Sequence, residues 1–145
     1  MDTIKKLELL ATEGITIRLK ANATSQEEGR GWGCGYVQIP LEHPFMIHKD
    51  LDKMYSSGIL HEITWSQPSK QKSTHWEIGF DTAHSWNGPE HDKDYVQENT
   101  IDLAMHVARF NKIDATVLLS DWLDEQKEMA ISHATDLCKT YKIEL

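Results

Sequence analysis

THWEIGFDTAH, residues 74–84, is the stretch from which the fold is read. Over 74–81, Trp76, Ile78 and Phe80 fall on one side of an extended chain and His75, Glu77, Gly79 and Asp81 on the other, a period of two that predicts a strand. Working outward, 59–65 (ILHEITW) is rich in β-branched and aromatic residues and predicts a second strand. Ile59, His61, Ile63 and Trp65 would share its apolar side, with Leu60, Glu62 and Thr64 opposite, and 66–73 reads as the loop between. Further back, 34–39 (CGYVQI) predicts a strand ended by Pro40, with Val37 and Ile39 inward and Tyr36 and Gln38 outward. Residues 15–20 (ITIRLK) alternate strictly, with Ile15, Ile17 and Leu19 inward and Thr16, Arg18 and Lys20 outward. Hairpin-like connections favour antiparallel pairing.

The remaining stretches frame these strands. Residues 2–12 predict a short amphipathic helix with Ile4, Leu7 and Leu10 on one side, stopped by Gly14. Residues 22–31 read as a polar loop, and 40–58 as an ordered loop with one helical turn near 50–55. A third loop, 84–94, turns at Asn87-Gly88-Pro89. Asp94 and Gln97 predict a capped helix start, followed by an apolar stripe at Leu103, Val107 and Phe110. A second long helix is expected from near Ser120, with Leu123, Ala130, Ala134, Leu137 and Tyr141 as its apolar face; 115–119 fits either a strand or its entry. The expected architecture is one α+β domain over 1–145. It has about four mostly antiparallel strands, helices packed on one face, and two C-terminal helices.

Composition narrows the function. A chain of 145 residues is long enough to bury its own core. A net charge of −8 lacks the cationic footprint of nucleic-acid binding, so no direct nucleic-acid contact is expected. Cys34 and Cys138 form no CxxC motif, which removes a cysteine zinc site. No apolar run reaches membrane length and the start shows no leader pattern, so no membrane contact and a cytosolic location are expected.

If the strands share one sheet, its non-core face carries Arg18, Lys20, Tyr36, Gln38, Glu62, Thr64, His75, Glu77 and Asp81. Crowded carboxylates beside cations and a histidine suit acid–base chemistry, ligand binding or metal capture; an ordinary solvated sheet face has the same pattern. Six of the eight histidines lie between His43 and His91. Asp81 and His84 end a strand, and with His91 and Asp92 they are candidates for a divalent metal, although no established metal motif is present. Trp32, Tyr36 and Trp86 offer flat surfaces for a ring to stack on, whereas Trp65 reads as core. Gly29, Gly31, Gly33 and Gly35 fall within seven residues and imply sharp turns or close approach to something, but the run leads into a strand and lacks a phosphate-loop ending. Cys34 reads as a small buried hydrophobe rather than a nucleophile.

Two blocks carry a resemblance. Gly35-Tyr36-Val37-Gln38-Ile39-Pro40 with His43-Pro44 resembles a Gly-Tyr-Val-x-Val-Pro-x-x-His-Pro pattern, and Trp76 through His84 resembles Trp-Trp-Ile-Gly-Phe-Asp-Thr-Ala-His. Both are similar to a family of small bacteriophage and prophage proteins, over roughly residues 30–110. Between the blocks the family shows His-Gly-Gly-Leu-Thr-aromatic; here Leu60–Trp65 stands in its place, and only Thr64 and Trp65 match. The resemblance implies mobile-element origin, a location in the host bacterial cytosol and a role against host defence, with Tyr36, His43, Thr64, Asp81 and His84 as the polar centre. The expected function is to bind, and in one version hydrolyse, a small nucleotide-type ligand of bacterial immunity. Trp32, Tyr36 and Trp86 would stack on it, Arg18 and Lys20 would meet phosphate, and Asp81, His84 and His43 would serve as acid, base or orienting groups. The alternatives are an acidic, non-enzymatic inhibitor of a host defence protein such as a CRISPR nuclease, and a metal-dependent hydrolase. A homodimer is compatible with an exposed sheet edge.

Overall fold

The computed structural model describes residues 1–54, 63–126 and 131–144. Helix α1 (Thr3–Thr12) starts where Asp2 accepts a hydrogen bond from Lys5 N at 2.8 Å and ends before Gly14, whose φ of +73° turns the chain. Of its expected stripe only Leu10 is buried, while Ile4 and Leu7 are exposed, because the helix lies at the margin of the core. Strand β1 (Thr16–Ala21) follows. The polar stretch after it is not all loop: Asn22 caps a short helix, α2 (Ala23–Glu27), by accepting from Ser25 N.

Strand β2 (Gly33–Pro40) is the spine. A 3-10 turn at Pro44–Met46 and helix α3 (Ile47–Asp50) come next, so the helical turn lies earlier than 50–55. Strand β3 is Trp65–Pro68, not 59–65, and β4 is His75–Asp81. Residues 59–62 of the expected strand lie outside the described residues; Ile63 and Thr64 precede β3. The 84–94 loop turns twice, at His84–Asn87 and Gly88–His91, flanking the Asn-Gly step. Helix α4 (Lys93–Arg109) is capped by Asp92, two residues before the expected Asp94, through Tyr95 N to Asp92 Oδ1 at 2.9 Å.

The two C-terminal helices are α5 (Lys112–Gln126) and α6 (Ile131–Tyr141). Residues 115–119 are therefore helical, and the stripe expected after Ser120 is shared between the two: Leu123 on α5 is half-buried, and Ala134, Leu137 and Tyr141 on α6 are buried. Ala130 lies outside the described residues. Tyr141 Oη donates to Asp50 Oδ2 at 2.6 Å and ties α6 to α3.

The sheet has the order β1-β2-β4-β3, and every pair is antiparallel. Residues directly across from one another share a face. Ile17, Val37 and Ile78 form one apolar row, and Leu19, Gly35 and Phe80 the next. Helix α4 packs on this face with Val96, Leu103, Ala104 and Val107 buried. Gly35 is required here, because a Cβ at that position would collide with Thr100 Oγ1. No helix among the described residues is long and apolar enough to cross a membrane.

One core residue is polar without a matching partner. His48 is 3% exposed, its ring lies 4.7 Å from Phe45 and 4.8 Å from Phe110, and neither ring nitrogen has a hydrogen-bond partner among the described residues. Burial pushes it down to about 4, an effect only partly offset by the nearby Lys53 backbone and reinforced by His106. The folded state thus resists a proton that the unfolded chain takes up near 6.5. Stability contributed by neutral His48 is intact above pH 6.5 and is lost as pH falls toward 4, by up to about 3 kcal/mol. Urea unfolding at pH 7 and pH 4.5 should show a loss in the parent and a smaller loss in His48→Phe. That variant, which removes two unpaired polar atoms, should match or exceed the parent at pH 7.

Candidate functional site

The sheet face away from α4 is polar, as the alternation predicts, and it is built in three cross-strand rows. The middle of the face is a hydrogen-bonded network around a buried carboxylate. Glu77 is 3% exposed, and its carboxylate accepts from Arg18 Nη2 at 2.7 Å and from Gln38 Nε2 at 3.1 Å. Gln38 in turn accepts from Thr16 Oγ1 at 2.8 Å, and Thr16 accepts from Lys72 Nζ at 3.1 Å. Thr16, Gln38, Glu77 and Gln67 stand in one row of the ladder.

The next row is Arg18, Tyr36, Gly79 and Trp65. With no side chain at Gly79, the Tyr36 ring lies over its backbone. The Arg18 guanidinium sits 4.1 Å above the Tyr36 ring, and Trp65 meets that ring edge-on at 5.7 Å. Tyr36 is buried as a result, and burial, helped by the Cys34 thiol, pushes its hydroxyl up to about 12. Trp65 is therefore on the polar face, not the apolar one. Its strand starts at residue 65, so the pairing register places it opposite Gly79 and beside Tyr36.

The third row, Lys20, Cys34 and Asp81, lies at the open end of the sheet. Asp81 Oδ1 accepts from Ala83 N at 3.0 Å, and Oδ2 accepts from Thr64 Oγ1 at 3.2 Å. His84 Nε2 is 3.2 Å from Asp81 Oδ1. The imidazole stacks on the Trp86 indole at 4.3 Å with the planes 3° apart, and Trp86 remains 69% exposed. Asn87 Oδ1 fixes the loop by accepting from His84 N at 3.0 Å. Asp81, His84, Trp86 and Thr64 thus come together, with Lys20 two strands away on the same face.

The glycine run is bound to the same end of the sheet. Thr82, 2% exposed, donates to Gly33 O at 2.7 Å and accepts from Gly33 N at 3.1 Å, while Gly31 N donates to Thr82 O at 2.8 Å. A Cβ at Gly31 would collide with the Thr82 hydroxyl, so what approaches this glycine closely is a neighbouring loop. Nothing in the sequence distinguishes Thr82 as this staple, because its partners lie about fifty residues away.

Other expected residues are elsewhere. His43 hydrogen-bonds Pro40 O through its backbone, and Pro40 pairs with His75, so both histidines sit at the far end of β4. Six residue steps at ~3.3 Å separate that end from Asp81, roughly 20 Å. His43 does not join Asp81 and His84: it caps the 3-10 turn through Nδ1 to Phe45 N at 3.1 Å and lies 3.5 Å from Glu13, and burial lowers its proton affinity. His75 bridges Thr74 and the Gly14 carbonyl. Arg18 is committed to Glu77, and Tyr36 is covered, so neither is free to meet phosphate or a ring.

Trp32 lines a separate cleft of about 230 Å³ with Gln26, Gly29, Arg30, Pro89 and Asp92. His91 Nδ1 accepts from Gly88 N, and Asp92 caps α4. Among the described residues no group of three His, Cys, Asp or Glu is arranged to hold a metal, so Asp81, His84, His91 and Asp92 are not assembled into one site. Glu62 and His61 lie outside the described residues. No family model, curated protein or solved structure matches this chain.

The Glu77 network makes a stability prediction. Arg18→Met leaves a buried carboxylate short of its cation and should lower unfolding free energy by about 2–3 kcal/mol in urea, somewhat below the range for a fully buried pair because Arg18 is partly solvated. Arg18→Met/Glu77→Met, which removes both charges, should lie closer to the parent than the single variant.

Proposed function

We propose that this chain is a mobile-element accessory protein that counters bacterial immunity by binding a small nucleotide-type ligand at the open end of its sheet. One observation carries the reading: Asp81, His84 and Trp86 form a continuous unit in which a carboxylate holds an imidazole and the imidazole lies flat on an exposed indole. The outer surface of Trp86 offers a base a platform of the sequence-tolerant kind. Lys20, in the same cross-strand row as Asp81, supplies a cation for phosphate, the role expected of Arg18 and Lys20 together and left to Lys20 by the Arg18–Glu77 pair. The resemblance to phage and prophage proteins supplies the biological setting.

The unit also has the parts for hydrolysis. Asp81 is pinned by Ala83 N and Thr64 Oγ1, and it faces His84 Nε2, which leaves Nδ1 to take a proton from water. A His held by a carboxylate is the general arrangement for that task. The rival reading is an acidic protein that binds a host defence effector; it makes Asp81 and His84 dispensable and the complex sensitive to salt.

A thermal-shift panel of cyclic and linear nucleotides decides between them. A ligand that binds only the folded state adds roughly 2.7 kcal/mol at a hundred times its dissociation constant. One class of nucleotide should raise the melting temperature of the parent. The rise should vanish in Asp81→Ala, His84→Ala and Trp86→Ala while their far-ultraviolet dichroism is unchanged. No shift in the parent across the panel, or a shift that survives all three substitutions, overturns the assignment. Chromatography of the recovered nucleotide then separates capture from cleavage.

A further inference from the structure

The end of α4 and the first two-thirds of α5 enclose an open groove of about 430 Å³. Its lining includes Phe110, Val117 and Leu118, with His106 and Arg109 on the α4 wall and, on the α5 wall, Asp121 and Asp114, the latter accepting from Asn111 N at 2.9 Å. Ile113 and Val117 are 74% and 56% exposed, and with Asp121 they follow one another at i, i+4 and i+8 along one side of α5. The other side of the helix is also apolar, since Ala115 and Leu119 are buried in the core. Helix α5 is thus apolar on two sides, of which its own chain covers one. A surface helix that serves only its own core normally carries one apolar stripe. Among the described residues neither Arg109 nor Asp121 has an ion-pair partner. They stand as opposite charges on the two walls of a groove with an apolar floor.

We infer that this face pairs with a second copy of the same chain about a two-fold axis. An isologous contact makes each interaction twice. Ile113 and Val117 of one copy enter the groove of the other, Arg109 meets the second copy's Asp121, and the symmetry repeats the pair in reverse. A partner of one sign would leave one wall unmatched, whereas a second copy matches both. The sheet edges are poorer candidates. Strand β1 presents Arg18 and Lys20, and β3 is four residues long and ends on Pro68, devices that discourage edge-to-edge pairing. A helix of fifteen residues is about 22 Å long. A contact of that length falls at the small end of specific interfaces, which makes this a monomer–dimer equilibrium and not an obligate dimer.

Sedimentation equilibrium of the full chain, from ~1 to ~300 µM to bracket micromolar association, tests the inference. The parent should move from one to two chain masses across the series. Val117→Asp, at an exposed position, should stay at one chain mass with unchanged helical dichroism. Arg109→Glu and Asp121→Arg should each weaken association at least tenfold, and Arg109→Glu/Asp121→Arg together should restore it. A parent that stays monomeric throughout, or a Val117→Asp variant that dimerises like the parent, overturns it.

Discussion

Burial of the Glu77 carboxylate in the middle of the sheet is the constraint on which the rest of the structure depends. Removing a carboxylate from water costs several kcal/mol unless charge and hydrogen bonds replace the lost solvent. Arg18 on β1 and Gln38 on β2 do so, and each is supported in turn, Arg18 by the Tyr36 ring and Gln38 by Thr16. The register of three strands is therefore locked by side chains as well as by the backbone ladder. A slip of one residue in β1 would send Arg18 to the apolar face and strand the carboxylate.

That network separates structural polarity from polarity left open for chemistry. In the middle of the face, Glu77, Arg18, Gln38 and Thr16 are spent on one another, while Arg18 Nε and Trp65 Nε1 are buried with no hydrogen-bond partner among the described residues. At one end, His43 and His75 act as turn staples. At the other, Asp81 and His84 meet the exposed Trp86, on a strand end and loop that Thr82 and the glycine run hold rigidly from behind. Binding groups presented by a loop on a fixed scaffold are a common arrangement. The glycines here allow two segments to bond through their backbones.

The helices contribute a second surface on the opposite side of the molecule's logic. Helix α4 packs its apolar side into the core, while α5 keeps Ile113 and Val117 exposed on its outer side beside Asp121, which has no ion-pair partner among the described residues. The proposed ligand site on the sheet and the proposed pairing face on α5 use different residues.

The sequence by itself determined the elements whose pattern is local. Period-two alternation placed β1, β2 and β4 and assigned Arg18, Tyr36, Glu77 and Asp81 to one face, because successive side chains of a strand must point to opposite sides. It also brought Asp81 and His84 together, since three residues across a tight turn stay close whatever the fold. Tertiary structure alone decided the start of β3, and with it the side on which Trp65 lies. It decided that Arg18 would be committed to Glu77 and Tyr36 covered by Arg18 and Trp65, and that His43 would stand a strand's length from Asp81 and His84, with which it was expected to share a site. Pairing register, burial and partner choice depend on residues tens of positions apart. A local pattern shows which face a side chain takes and carries no information about what waits there to meet it.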